Sequence, residues 1–459
     1  MRTTDIAIVG AGPAGAWAAY WLARRGARVT IFDPSHPREK PCGGGITGRA
    51  LALVADAVAD TSLPASTICR ARFLDTERGR SAIVPLSTDG SIRLKPDPTH
   101  GLTPDPTHGL TPDPTHGLTP DPTHRLTPDP THRLEADPTL CETERPALVV
   151  ASRATFDAAL LESARRAGAT IRTTRITDVT LEPGGARMHT KDGAYRTRFL
   201  IGADGANSLV RRRLARPFGR DDLSIATGYF AHGVTSDEIL IELISDPPGY
   251  IWSFPRPTHL AIGICAQADS GWTAAALRDR AAAWIRATGI ADDARLEPYS
   301  WPIPSLTVQS LRRVELAGPS WCVAGDAAGL VDPITREGIF FALLSGQWAA
   351  EAAIDGDPSS YASRVRSEII PELAHAAQLK ASFFRLASTG LLTQALQHSA
   401  AVNGVMADLI AGRQSYLGLK WRLVRTLEWR LAWQALGAPM LRAPGSRRAP
   451  ARAHQAAKP

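Results

Sequence analysis

Residues 5–33, "DIAIVGAGPAGAWAAYWLARRGARVTIFD", constrain the fold of this chain more tightly than any other stretch. Ile6, Ile8 and Val9 give a short buried strand, and Gly10, Gly12 and Gly15 follow as G-x-G-x-x-G. The first glycine of such a triplet permits a tight turn. The second lets backbone approach a pyrophosphate, and the third lets a helix pack on a strand. An Ala-rich helix with Trp17, Trp21 and Leu22 at helical spacing comes next, and "RVTIFD" is a second strand that ends on Asp33. Helix dipole and free first-turn N–H groups then face the phosphates, and Asp33 is placed to accept a ribose hydroxyl. A purely structural glycine turn leaves the acid unexplained. The stretch predicts a Rossmann-like dinucleotide site with Gly10, Gly12, Pro13, Ala14, Gly15 and Asp33.

The other 430 or so residues carry enough apolar content (44% of the 459-residue chain) to bury an enzyme-sized core. The opening "MRTTDIAIVG" runs directly into the first strand and predicts no signal peptide. No uncharged apolar run reaches the ~18–20 residues that span a bilayer. Cys42, Cys69, Cys141, Cys265 and Cys322 are scattered and odd in number, an argument against a disulfide framework and for a reducing cytoplasm. They show no metal-ligand spacing. Residues 411–459 hold ten Lys/Arg against one acid, Glu428, a local +9 that exceeds the chain's total of +7 and leaves the first 410 residues at −2. The basicity belongs to the C-terminal segment, and a nucleic-acid partner is not predicted.

An eight-residue unit recurs five times across 96–135, with "PDPTH" starting at Pro96, Pro104, Pro112, Pro120 and Pro128. With one Leu per copy it cannot bury a core, and an exposed, proline-stiffened loop is expected. His100, His108, His116, His124 and His132 repeat with it, but nothing fixes their mutual geometry, and no metal site is predicted. "RATFDAALLESARRAGA" reads as an amphipathic helix and "TIRTTRITDVTLEP" as one strand. Several alternating strands follow over 224–267, and residues 359–436 read as helical.

Two later stretches decide which dinucleotide is bound. "GADGANSLVRRRL" (202–214) and "GDAAGLVDPITREGIFFALLSG" (325–346) resemble the second and third fingerprints of flavoproteins with the para-hydroxybenzoate hydroxylase type of fold, and Arg153 and Asp157 in "RATFD" resemble a further element of that fold. The resemblance implies FAD, with cofactor contacts at Arg153, Asp204, Gly325, Asp326, Gly338 and Ile339. Turn-forming chemistry is the alternative for Asp204 and Asp326. No second G-x-G-x-x-G with its own strand and acid provides a separate nicotinamide domain.

"PPGYIWSFP" (247–255) resembles the isoprenoid-binding element of the geranylgeranyl reductase family. "KPCGGG" (40–45) resembles that family's cysteine loop beside the flavin. Tyr250, Trp252 and Phe254 alternate along a strand and so share one face. They are expected to bind substrate, ordinary sheet core being the alternative. Lys40, Cys42, Gly43 and Gly44 are expected to contact the cofactor. The implied reaction is reduction of C=C bonds in a polyprenyl chain, with Cys42 as proton donor, since an ordinary thiol is protonated at neutral pH. Packing room beside the ring is the alternative for Cys42. NADPH or a ferredoxin-type protein is the expected reductant, and a polyprenyl lipid or prenyl diphosphate the expected substrate. A monooxygenase or halogenase of the same fold is the runner-up, halogenases having W-x-W-x-I-P where this chain has Tyr250-x-Trp252-x-Phe254-Pro255. A non-catalytic flavin-binding membrane scaffold is the third reading. The chain departs from the family pattern in having Arg336 where relatives usually have glycine, and Asp33 where glutamate is commoner.

The expected architecture is α/β (α+β overall). A discontinuous FAD-binding domain (1–70, 145–215, 318–358) interleaves with an antiparallel-sheet substrate domain (71–144, 216–317). A helical region (359–440) and a disordered basic tail (441–459) follow. Residues 416–437 combine Arg422 and Arg425 with Trp429 and Trp433, the composition of a helix at a lipid headgroup boundary. A helix packed on its own protein is the alternative. The predicted location is cytoplasmic, peripheral on the inner face of the membrane.

Overall fold

β1 (Arg2–Val9) is buried continuously only at Ile6–Val9. There it has a parallel partner on both sides: β2 (Val29–Phe32), which pairs only with Ile6–Val9, and strand Gly193–Gly202, whose pairing begins at Arg2. Unbroken apolar runs suit a parallel strand covered on both faces. α1 (Pro13–Arg24) connects β1 to β2, with Pro13 in the first turn, where its missing N–H leaves no gap in the helix ladder. This is the structure of the protein as a computed structural model, and it describes residues 2–59, 63–86 and 146–425. The repeat at 96–135, the part of 416–437 beyond Arg425 and the tail at 441–459 lie outside the described residues.

The βαβ unit belongs to an eight-stranded sheet. Its main path runs Ala317–Gly318, Trp321–Val323, Gly193–Gly202, β1, β2, Thr170–Arg172. The stretch read as one strand over 170–183 divides in two. Thr170–Arg172 extends the parallel sheet beside β2, whereas Asp178–Glu182 forms an antiparallel hairpin with Gly185–Thr190. The long helix Ile339–Asp355 packs on α1, and a Cβ at Gly346 would overlap the Ala14 carbonyl.

A second sheet of seven strands runs Arg295–Pro304, Leu223–His232, His259–Gln267, Pro248–Pro255, Ile239–Ser245, Arg70–Asp75, Arg80–Pro85. Only the joint between Ile239–Ser245 and Arg70–Asp75 is parallel. Helix Ala274–Thr288 covers one face, packing Leu277, Trp284 and Ile285 on Ile251, Ile262 and Ile264. Helices from the C-terminal region, among them Ile370–Phe383 and Ala400–Ile410, contribute Ala376, Met406 and Leu409 to a core shared with Phe73, Val84 and Ile239.

A three-stranded sheet, Gly45–Thr47, Leu148–Ala151 and Ala65–Thr67, ties the glycine loop after β2 to the start of helix Arg153–Arg166. Cys69 is disulfide-bonded, which corrects the expectation drawn from the scattered cysteines, while Cys42, Cys265 and Cys322 are free thiols. Among the described residues no helix is long and apolar enough to cross a membrane.

Candidate active site

The dinucleotide loop is shaped by contacts that exclude side chains. Gly10 has φ +103°, and a Cβ there would overlap the Ala203 carbonyl oxygen; a Cβ at Gly15 would overlap the Gly10 carbonyl. Gly12 is different. Its Cβ position meets only His36 Nε2 at 3.7 Å, so the loop is open on that side. No side chain caps α1 at Gly12, which leaves its first-turn N–H groups facing that opening.

Asp33 lies at the end of β2 with both oxygens engaged. Oδ2 accepts from Ala11 N (2.9 Å) and sits 2.8 Å from His36 Nδ1, while Oδ1 accepts from the Ser35 and His36 amides. Burial alone would raise its pKa, but His36 and the amides outweigh it and hold the carboxyl below the usual range. Asp33 therefore organises the turn that follows β2. His36 extends the network to Asp157, its Nε2 lying 3.6 Å from Oδ2.

The "KPCGGG" loop is held from two sides. Arg153, buried at the start of its helix, makes two bonds of 2.9 Å to Asp157 and points Nη1 at Cys42 Sγ, 3.8 Å away. Burial opposes its charge, yet Asp157 and the sulfur keep its pKa above the ordinary arginine value. Arg256, with no exposed surface, donates to the Cys42 carbonyl at 2.7 Å and pairs with Glu39. Glu39 in turn accepts from Ser152 Oγ and Arg153 N. Sequence reasoning missed Arg256, Glu39 and His36. The available signal was Arg256 itself, a charge set between two prolines at the end of an aromatic strand. The glycines here make room for protein: Cβ atoms at Gly43 and Gly45 would press on the Phe254 ring at 2.9 and 3.1 Å, and one at Gly44 would overlap the Ala151 carbonyl.

The third fingerprint meets this loop from the opposite side. Lys40 Nζ is 2.7 Å from Asp326 Oδ2, and the Gly325 amide donates to Ser345 Oγ. Asp332 Oδ1 accepts from the Ile334 and Thr335 amides and from Tyr416 Oη, which folds the 332–338 loop. Glu337 pairs with Arg49 and accepts from Thr47 Oγ1 at 2.7 Å. Gly338 ends the loop and begins helix Ile339–Asp355 without a side-chain cap. Asp204 is not brought into this group. It caps helix Leu209–Leu214, accepting from Ser208 Oγ and the Leu209 amide, and burial lifts its pKa above the usual range despite those bonds.

These parts enclose a cavity of about 230 Å³. Pro13, Lys40, Cys42–Gly45, Arg153, Asp326, Gly338 and Ile339 line one end. Tyr250, Trp252 and Phe254 share one face of strand Pro248–Pro255 and line the rest, with Phe384, Met406 and Leu409 from the C-terminal helices. Tyr250 donates to the Thr335 carbonyl at 3.0 Å, and burial raises its pKa. Among the described residues no group of His, Cys, Asp and Glu could hold a metal ion.

Bare backbone at Gly12, an uncapped helix N-terminus behind it and a second uncapped helix start at Gly338 fit an extended dinucleotide with a flat ring. The sequence pattern of the FAD binding domain family matches residues 3–343. The chain belongs to that family. As a member of the FAD binding domain family it is an FAD-dependent oxidoreductase. It is 29% identical to a menaquinone reductase of Mycolicibacterium smegmatis over 385 residues, 78% of each chain. It is 26% identical to a geranylgeranyl diphosphate reductase of Rhodobacter capsulatus over 362 residues, covering 76% of this chain and 75% of the other. The crystal structure of a geranylgeranyl bacteriochlorophyll reductase-like protein from Thermoplasma acidophilum superposes with a TM-score of 0.67 at 21% identity, spanning 93% of this chain and all of that one. That structure shares the fold.

Proposed function

We propose that this FAD-dependent oxidoreductase reduces C=C bonds of a polyprenyl chain. The observation that carries the reading is a single cavity in which an aromatic and aliphatic wall adjoins the Cys42 loop. Each methylene buried against such a wall contributes about 0.8 kcal/mol. The cofactor, when bound and reduced, supplies hydride. The protein supplies the proton: the π pair of an unactivated alkene bonds it at one carbon, positive charge develops on the other, and that second carbon is the one the hydride would meet. Cys42 Sγ is the candidate donor. Arg153 Nη1, aimed at that sulfur, stabilises the thiolate left behind, and Asp157 keeps the guanidinium in place. Lys40, Asp326 and the Gly338–Ile339 helix start are the proposed cofactor contacts at this end, with Gly10–Gly15 at the phosphates. Apolar lining from the C-terminal helices keeps water from the reduced centre. The electron source is assigned to NADPH or a ferredoxin-type donor, which reaches the flavin transiently.

The test is anaerobic. Protein with dithionite-reduced FAD is mixed with geranylgeranyl diphosphate or menaquinone, and flavin reoxidation is followed together with product mass. Reoxidation with a gain of two hydrogens is expected. Reoxidation only with oxygen, giving a product heavier by 16, refutes the reductase and supports the monooxygenase reading. Cys42→Ser should slow the reoxidation step by roughly 10²-fold or more while FAD stoichiometry is unchanged.

A further inference from the structure

Arg336 stands where glycine would be the easy residue. Its φ is +62°, the left-handed region that side chains rarely adopt, and it is the one non-glycine among the described residues to do so. Held there, its side chain reaches the seven-stranded sheet and bonds Ser305 Oγ through Nη1. Lys380, from helix Ile370–Phe383, donates to the same hydroxyl at 2.9 Å and also to Gln267 Oε1. Two basic heads thus share one hydroxyl, and neither forms an ion pair with a carboxylate of the described residues. Arg336 Nε and Nη2 are buried donors with no acceptor, and Trp252 Nε1, in the wall of the same cavity, is a third. Burial and Arg336 push the Lys380 amine down to about 7, with Cys265 and Asp269 only partly offsetting them. Nearby carboxylates are committed elsewhere, Glu337 to Arg49 and Asp332 to the loop amides and Tyr416.

Buried donors in surplus, two of them on a cation, call for an acceptor that carries negative charge. A guanidinium offers paired N–H groups that match two oxygens of a phosphate or carboxylate. We propose that Arg336, which lines the cavity, and the Lys380–Ser305 pair bonded beside it form an oxyanion-binding corner, which holds the phosphate group at the head of an isoprenoid substrate. The corner adjoins Tyr250, whose hydroxyl bonds Thr335 beside Arg336, so a chain anchored there lies along the aromatic wall. That the oxyanion is carried by an isoprenoid rests on the polyprenyl reading above; the oxyanion corner itself does not.

Calorimetric titration of the FAD-loaded full chain tests this with three probes: inorganic pyrophosphate, geranylgeranyl diphosphate and geranylgeraniol. The diphosphate should bind roughly tenfold or more tightly than the alcohol. Pyrophosphate should compete with it. Arg336→Gly relieves the backbone and should fold; it and Lys380→Met should each remove most of that margin without weakening geranylgeraniol. Equal affinities for diphosphate and alcohol, or a margin intact in Arg336→Gly, overturn the corner and leave the prenyl reading standing. Pyrophosphate binding that depends on Arg336, with neither isoprenoid bound, keeps the corner and refutes the prenyl reading. Binding of none refutes both. A changed flavin midpoint potential in Arg336→Gly with undiminished pyrophosphate affinity would place the guanidinium on the ring and overturn the proposal.

Discussion

At the scale of residues, the site depends on buried charges that hold one another. Arg256 has no exposed surface, and Glu39 and the Cys42 carbonyl are its partners. Arg256→Met takes the cation from Glu39, which keeps Ser152 Oγ and Arg153 N, and the donor from the Cys42 carbonyl, and should cost about 1–3 kcal/mol of unfolding free energy, read by urea denaturation. The double variant with Glu39→Gln should recover part of that loss. His259 is a second case. Its Nε2 faces Arg256 Nη1 at 3.5 Å, so the neutral ring accepts there and Nδ1–H donates to Thr258 Oγ1 at 3.1 Å. Burial, Arg256 and His232 lower its pKa to about 4. The unfolded chain, with histidine near 6.5, binds more protons than the folded one between pH 6.5 and 4. Stability is therefore full above pH 6.5 and falls as pH drops through that window. His259→Gln should flatten the decline of Tm between pH 7 and 4.5; an unchanged slope would remove His259 from the acid response. Cys42 was visible in the sequence as a thiol among glycines. Arg256 was not, because its partners lie more than two hundred residues away.

At the scale of elements, the glycine fingerprint and the third fingerprint meet through the crossing of α1 with helix Ile339–Asp355. Gly346 sits on the Ala14 backbone there, with no room for a methyl group. Gly346→Ala should destabilise by about 1–3 kcal/mol through overpacking, seen as a lower Tm. It should also weaken retention of FAD, measured by fluorescence of released flavin, since both helix starts shift. The spacing of the first βαβ unit was legible because its contacts are local. The division of residues 170–183 into two strands was not, because it turns on β2 and on the hairpin partner, each found only after folding. Gly43–Gly45 were legible as bare backbone, but Phe254 and Ala151 fill the space that sequence reasoning gave to the ring alone.

At the scale of the whole molecule, the C-terminal helices close the cavity and carry an apolar patch outward. Tyr416 anchors helix Tyr416–Arg425 to Asp332, while Leu417 and Trp421 are exposed, Trp421 by 72%. We propose that this helix contacts a lipid surface, where tryptophan and basic residues favour the headgroup layer. Leu417→Ser with Trp421→Ser should lower co-flotation with vesicles of phosphatidylglycerol several-fold while FAD content stays constant; undiminished flotation would remove this helix from the contact.

The sequence alone determined the dinucleotide loop, the order of the fingerprints and the aromatic face of Pro248–Pro255, because each follows from spacing along a strand or helix. Tertiary structure alone decided what those parts face. It brought Arg153 to Cys42, closed Asp33 on His36 and Asp204 on its own helix, and set Arg336 beside Lys380 on one hydroxyl. Long-range pairing of charges leaves no period in the sequence. It arises when separate elements bury polar groups in the same place and those groups must find partners there.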